Sequence, residues 1–91
     1  TMWGVSATLK EEVTIKDGQI GLNNFETYPL LTMREAPQVD AFLVDTGGTE
    51  PFGVGEPPIG PLAAAIGNAV YALSGKRLRQ IPFTSARVLA A

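Results

Sequence analysis

From Ile59 to about Ser74 the apolar side chains Ile59, Leu62, Ala63, Ile66, Val70 and Leu73 recur at steps of three and four residues. That spacing gathers them on one stripe and predicts an α-helix. The rest of the circumference is small, with Gly60, Ala64, Ala65, Gly67, Ala69 and Ala72. Another backbone can approach such a helix closely. A helix uncharged almost all round is usually buried in something larger than the remaining residues could provide. Gly75 is placed to terminate it, and Lys76-Arg77 suit the negative end of its dipole.

Upstream, Met2, Val5 and Leu9 stand three or four apart, followed by Lys10, Glu11 and Glu12. They predict a short amphipathic helix over 2–11 that lacks a starting cap and carries Trp3 on another face. An apolar start of this kind reads as a helix entered partway, and the expectation is a piece of a longer polypeptide. Val13 to Lys16 and Gln19 to Leu22 alternate on either side of Asp17-Gly18, the signature of a β-hairpin. Asn23-Asn24 turns the chain or bulges the second strand. Phe25, Tyr28, Leu30 and Leu31 follow in an extended, irregular segment whose aromatics are expected to cover a core. Pro37 biases the preceding residue away from helix, so Met33 to Pro37 is a connector.

The next run, Gln38 to Asp45, predicts a strand with Val39, Ala41 and Leu43 on one face and Phe42 and Val44 on the other. Apolar residues on both faces mark a strand covered from both sides. Thr46 to Pro51 is a loop, Leu78 to Ile81 a short strand, and Thr84 the N-cap of a last helical turn over Ser85 to Ala91. The predicted class is α+β: a small sheet, hairpin plus strand 38–45, packed against the Ala/Gly-rich helix and the N-terminal helix, as one partial domain over 1–91.

Composition narrows the chemistry. The 91 residues include no Cys and no His, which removes disulfides, thiolate and imidazole metal sites, iron–sulfur ligation and every imidazole-dependent triad. Carboxylates, hydroxyls, Lys, Arg and backbone remain. Apolar residues make up 45% and charged ones 18%, an unusually uncharged surface that suits contact with another body. All nine acids lie between Glu11 and Glu56, whereas 57–91 holds four bases and no acid. Such polarity can bring the two ends together or seat the basic tail on an acidic partner. Without interleaved aromatics it is a poor nucleic-acid footprint. No secretory leader is visible, and no uncharged segment is long enough to span a bilayer.

Gly53-Val54-Gly55-Glu56-Pro57-Pro58 delivers one carboxylate from a glycine-flanked loop to the start of the long helix. Two glycines permit close approach to another body or dihedrals closed to other residues, and Pro57 is preset for the first helical position. Glu56 then sits at or beside the N-cap, where free amides and the positive dipole end favour an anion. Two readings stay open: Glu56 only caps the helix, or it is a base held in a fixed direction. A phosphate site at this helix start is disfavoured, because a negative charge and two prolines occupy the place of the amide donors.

The order of these features resembles a known family. The hairpin, Tyr28-Pro29-Leu30-Leu31, Glu35-Ala36-Pro37 before a strand, Gly53-Val54-Gly55-Glu56 opening a small-residue helix, and Gly75-Lys76-Arg77 closing it look like the C-terminal end of the molybdopterin-binding large subunit of the xanthine oxidase family. The isoquinoline 1-oxidoreductase β-subunit and aldehyde dehydrogenase types are the most similar. The resemblance covers nearly all 91 residues and rests chiefly on the Gly-Val-Gly-Glu-Pro block.

It implies an oxidative hydroxylase that uses water-derived oxygen on an N-heteroaromatic or aldehyde substrate, with molybdopterin as cofactor and an iron–sulfur subunit receiving the electrons. Glu56 falls on the family's catalytic glutamate, the base that deprotonates a metal-bound hydroxyl, and Gly53, Val54 and Gly55 match the cofactor-proximal backbone. Most of the cofactor scaffold would lie outside these residues, so the segment alone is expected to bind no cofactor and to be inactive. A docking or assembly module, using the apolar helix and basic tail, is the alternative. Compartment is left open.

Overall fold

The computed structural model describes every residue except Thr49. In chain order its elements are α1 (Met2–Leu9), β1 (Ile15–Lys16), β2 (Gln19–Ile20), α2 (Ile59–Ser74) and α3 (Ser85–Ala90). The class is α+β, as expected, but the sheet is smaller than the sequence predicts.

β1 and β2 pair antiparallel, Ile15 with Ile20 and Lys16 with Gln19. Asp17 and Gly18 both take positive φ, 52° and 73°, the geometry whose twist matches the strands of a two-residue hairpin. The Gly21 N–H donates to the Thr14 carbonyl at 3.2 Å and extends the ladder by one rung.

The expected third strand, 38–45, does not form. These residues run without regular structure and are exposed throughout, because a strand needs a neighbour for its amides and carbonyls and none of the described residues pairs with its backbone. Residues 78–81 likewise form no strand. They lead instead into a cis Ile81–Pro82 peptide and the buried Phe83. The loop expected at 46–51 is irregular at its described positions, and Thr49 lies outside them.

α1 is the hub. It packs against α2, the only close helix–helix contact among the described residues. A side chain at Gly4 would collide with Leu62 and stand 3.3 Å from the Ile59 Cα. Its buried residues are Gly4, Val5, Ser6 and Thr8, a face built more from small and hydroxyl residues than the Met2/Val5/Leu9 spacing indicates. The hydroxyls explain this. Thr8 Oγ1 donates to the Gly4 carbonyl (2.6 Å), and Ser6 Oγ accepts the Leu31 amide (3.0 Å). The Thr8 carbonyl accepts the Phe83 N–H at 2.7 Å. α1 thereby ties α2, the segment around Leu31 and the Phe83 turn together. The buried apolar core is Val5 and Phe83.

α2 matches its predicted bounds. Ile59, Leu62, Ala63, Ile66 and Val70 are half-buried as the stripe requires, while Leu73 is exposed. Gly67 is the buried point, with the Phe83 ring 3.5 Å from where its Cβ would be. Gly75 ends the helix in the left-handed region at φ 73°, its N–H bonded to the Tyr71 carbonyl, as its lack of Cβ allows. Thr84 is the N-cap of α3 and accepts the Arg87 amide. Lys76 Nζ reaches the Val88 and Leu89 carbonyls at 3.1 Å each and closes the other end.

The chain exposes 7643 Å², against about 5,100 Å² for a compact monomer of this size. Its radius of gyration is 16.4 Å, where about 12 Å is usual for this length.

Candidate functional site

The loop ahead of α2 carries the candidate residues. α2 begins at Ile59 with Pro58 as its N-cap, and no side chain caps it. Helix entry therefore falls two residues later than Pro57 alone would place it. The reason is local. Pro57, Pro58 and Pro61 have no N–H, and the Ile59 N–H is taken by the Glu56 carbonyl at 2.9 Å. Glu56 is thus tied to the helix through its backbone and leaves its carboxylate free. That side chain is exposed, with no hydrogen bond or ion pair to any described residue. The capping alternative is not realised.

Gly53, Val54, Gly55 and Glu56 are all exposed. A Cβ at Gly53 or Gly55 would meet no atom within 4 Å, and neither residue takes a positive φ. Within these residues, then, neither close approach nor special dihedrals accounts for the two glycines. Their amides make no backbone hydrogen bond among the described residues. The loop so offers open backbone, free donors and one free carboxylate on the same stretch. A hollow of about 430 Å³ lies beside it, lined by Thr1, Met2, Trp3, Val39, Gly55 and Ile59.

No cluster of three or more Asp, Glu, Cys or His side chains suited to a metal ion occurs among the described residues. A metal at this loop would have to arrive held by other groups.

The other charged groups are committed to structure. Glu35 accepts from Lys10 Nζ (2.8 Å), and from the Thr32 hydroxyl (2.7 Å) and amide (3.0 Å). Those contacts, the Lys10 hydrogen bond foremost, hold its pKa down at about 2. Glu11 accepts the Tyr28 hydroxyl at 2.7 Å, which pushes the phenol up. Arg87 joins Glu12 at 2.7 Å across 75 positions of chain, so the predicted attraction between the acidic half and the basic tail is present. Arg77 lies 3.8 Å over the Tyr71 ring and donates to Asn68. These tail contacts were not legible in the sequence, since nothing in the spacing shows which acid an arginine will reach.

No family model matches the chain, and no solved structure resembles it. Several curated proteins do. A nicotinate dehydrogenase subunit of Pseudomonas putida is 37% identical over 94% of this chain and 7% of its own length. A membrane-bound aldehyde dehydrogenase of Gluconacetobacter polyoxogenes, whose name specifies pyrroloquinoline-quinone, is 38% identical over 97% of this chain and 11% of its own. The β-subunit of isoquinoline 1-oxidoreductase from Brevundimonas diminuta is 35% identical over 91% and 10%. A xanthine dehydrogenase molybdenum-binding subunit of Escherichia coli is among the further matches. The chain spans about a tenth of the length of these curated relatives. It belongs to the xanthine oxidase family of molybdenum-binding subunits, of which it corresponds to a short segment.

Proposed function

We propose that these residues are the C-terminal part of the molybdopterin-binding domain of a molybdenum hydroxylase, and that they supply its catalytic base, Glu56. The observation that carries this reading is the unpaired, exposed carboxylate of Glu56, held by its own carbonyl at the mouth of α2 in a chain of this family. A carboxylate consumed by a cap or an ion pair would be unsuited to the task. A general base must also come within about 3 Å of the proton it takes, and an exposed loop with no bulk at Gly53 and Gly55 lets another body come that close.

The cofactor, when bound, supplies the two-electron acceptor for a net conversion of R–H and water to R–OH, two protons and two electrons. Glu56 accepts one of those protons. The amides of Gly53, Val54 and Gly55, which have no backbone partner among the described residues, would be the donors available to hold the cofactor. α2 sets the direction of Glu56 through the Glu56 carbonyl to Ile59 hydrogen bond. Substrate is an N-heteroaromatic or an aldehyde, the classes named by the nicotinate, isoquinoline and aldehyde relatives. An iron–sulfur subunit takes the electrons, as the resemblance to the family implies, and these 91 residues themselves hold no cysteine for a cluster. On their own the 91 residues bind no cofactor and turn nothing over.

The test uses the full-length subunit with its partner. Metal and pterin analysis should return molybdenum and pterin; a quinone in their place would refute the cofactor assignment. Glu56→Gln should keep that content and lose at least about a hundredfold in dye reduction, the lower end of what a general base contributes. Wild-type reduction by Glu56→Gln would remove Glu56 from the chemistry.

The docking alternative draws on the 7643 Å² of exposed surface. Its basic-tail half is weakened because Lys76, Arg77 and Arg87 already hold partners within the chain.

A further inference from the structure

Residues 38–45 form an arm. Val39 is 45% exposed, Phe42 88%, Leu43 100% and Val44 82%. No backbone hydrogen bond joins the arm to any other described residue. Eight residues of extended chain reach about 26 Å, with no proline between Gln38 and Asp45 to interrupt a ladder. Successive side chains fall on opposite faces. Once paired as a strand, Val39, Ala41 and Leu43 would therefore share one face and Phe42 and Val44 the other. Water satisfies the backbone of such a segment but not its side chains, and apolar residues on both faces fit only a strand covered above and below. An unpaired strand of this composition is a template for pairing.

We propose that residues 38–45 are a donated strand, paired within the longer subunit to a sheet built by polypeptide outside these 91 residues and covered on both faces. The occupant is the remainder of the same chain. The relatives place roughly nine-tenths of their length outside the matched segment, and β1–β2, the only sheet among the described residues, consists of two strands of two residues each. Main-chain pairing supplies affinity, and the alternate side chains set the register.

The inference rests on the reading of the chain as part of a longer molybdenum subunit and adds a positioning role. The loop 53–56 precedes α2 and follows the arm across the intervening residues 46–52. Inserting the arm anchors the chain upstream of those residues, and α2 anchors the loop from its C-terminal side. The span that carries Glu56 is then tethered at both ends, which limits how far a base strays from its working geometry.

Hydrogen–deuterium exchange on the full-length subunit tests the proposal. The amides of residues 41–44 should exchange at least about a hundredfold more slowly than the same residues in an unstructured peptide, the protection that pairing in a stable sheet gives. Exchange within about tenfold of the unstructured rate overturns the proposal. Protection that appears only as protein concentration rises also overturns it, because a second copy would then be the partner. The functional reading fails separately. Protected amides with full activity in Glu56→Gln would keep the strand and discard the base, and unprotected amides with an inactive Glu56→Gln would do the reverse.

Discussion

Two carboxylates, Glu35 and Glu56, show what single residues reveal and conceal. Glu56 was legible because its neighbours are unusual: two glycines before it, two prolines after it. The apolar periodicity placed the start of α2 correctly at Ile59, but the proline block wrongly suggested Pro57 as the first helical position, since a preset φ says nothing about which amide finds the first carbonyl. Glu35 was not legible, because its partner Lys10 lies 25 residues away. Its pKa falls from an ordinary 4.5 to about 2, so the sign is that of a group more acidic in the folded state. Its contribution is present above about pH 4.5 and is lost as pH falls toward 2. The pair is solvent-exposed, so the expected effect is local. A carboxyl-carbon NMR titration should place the Glu35 midpoint near 2 and move it upward in Lys10→Met. A midpoint near 4.5 in the wild type would mean that the Lys10 and Thr32 contacts do not persist in solution.

Elements were legible where their hydrogen bonds are local. α2, its Gly75 terminus, the Asp17-Gly18 turn and the Thr84 cap all depend on residues within four positions, and each is where the pattern puts it. Residues 38–45 were expected as a strand and form none among the described residues, because pairing is a long-range event that alternation cannot supply. The α1 face was misjudged for a similar reason: burial of Gly4, Ser6 and Thr8 is decided by what they touch. Two glycines at this packing should respond oppositely. Gly4→Val meets Leu62 and the Ile59 backbone and should cost about 1–3 kcal/mol. Gly67→Ala makes ordinary contact with Phe83 and gains up to about 1 kcal/mol from helix propensity. Urea midpoints of the two variants check this. An unchanged midpoint for Gly4→Val would mean that α1 and α2 do not pack as described.

For the whole molecule, exposure decides the behaviour. About 2,500 Å² of surface beyond the usual for this size, much of it on Phe42, Leu43, Phe52 and Leu73, cannot stay wet without cost. The isolated chain should therefore bind an apolar-surface dye and sediment as more than a monomer at tens of micromolar; a dye-silent monomer would show that its surface needs no cover. The Arg87–Glu12 contact ties the ends together but covers little, as surface pairs contribute about 0–1 kcal/mol. The missing cover fits a segment completed by a larger subunit, and the free carboxylate fits the proposal that this subunit uses Glu56. Single-turnover reduction of the full-length enzyme by substrate, compared between wild type and Glu56→Gln at equal molybdenum content, addresses that use directly. The variant should bind substrate normally and be reduced at least about a hundredfold more slowly. Equal rates in the two proteins would show that the carboxylate at position 56 takes no part.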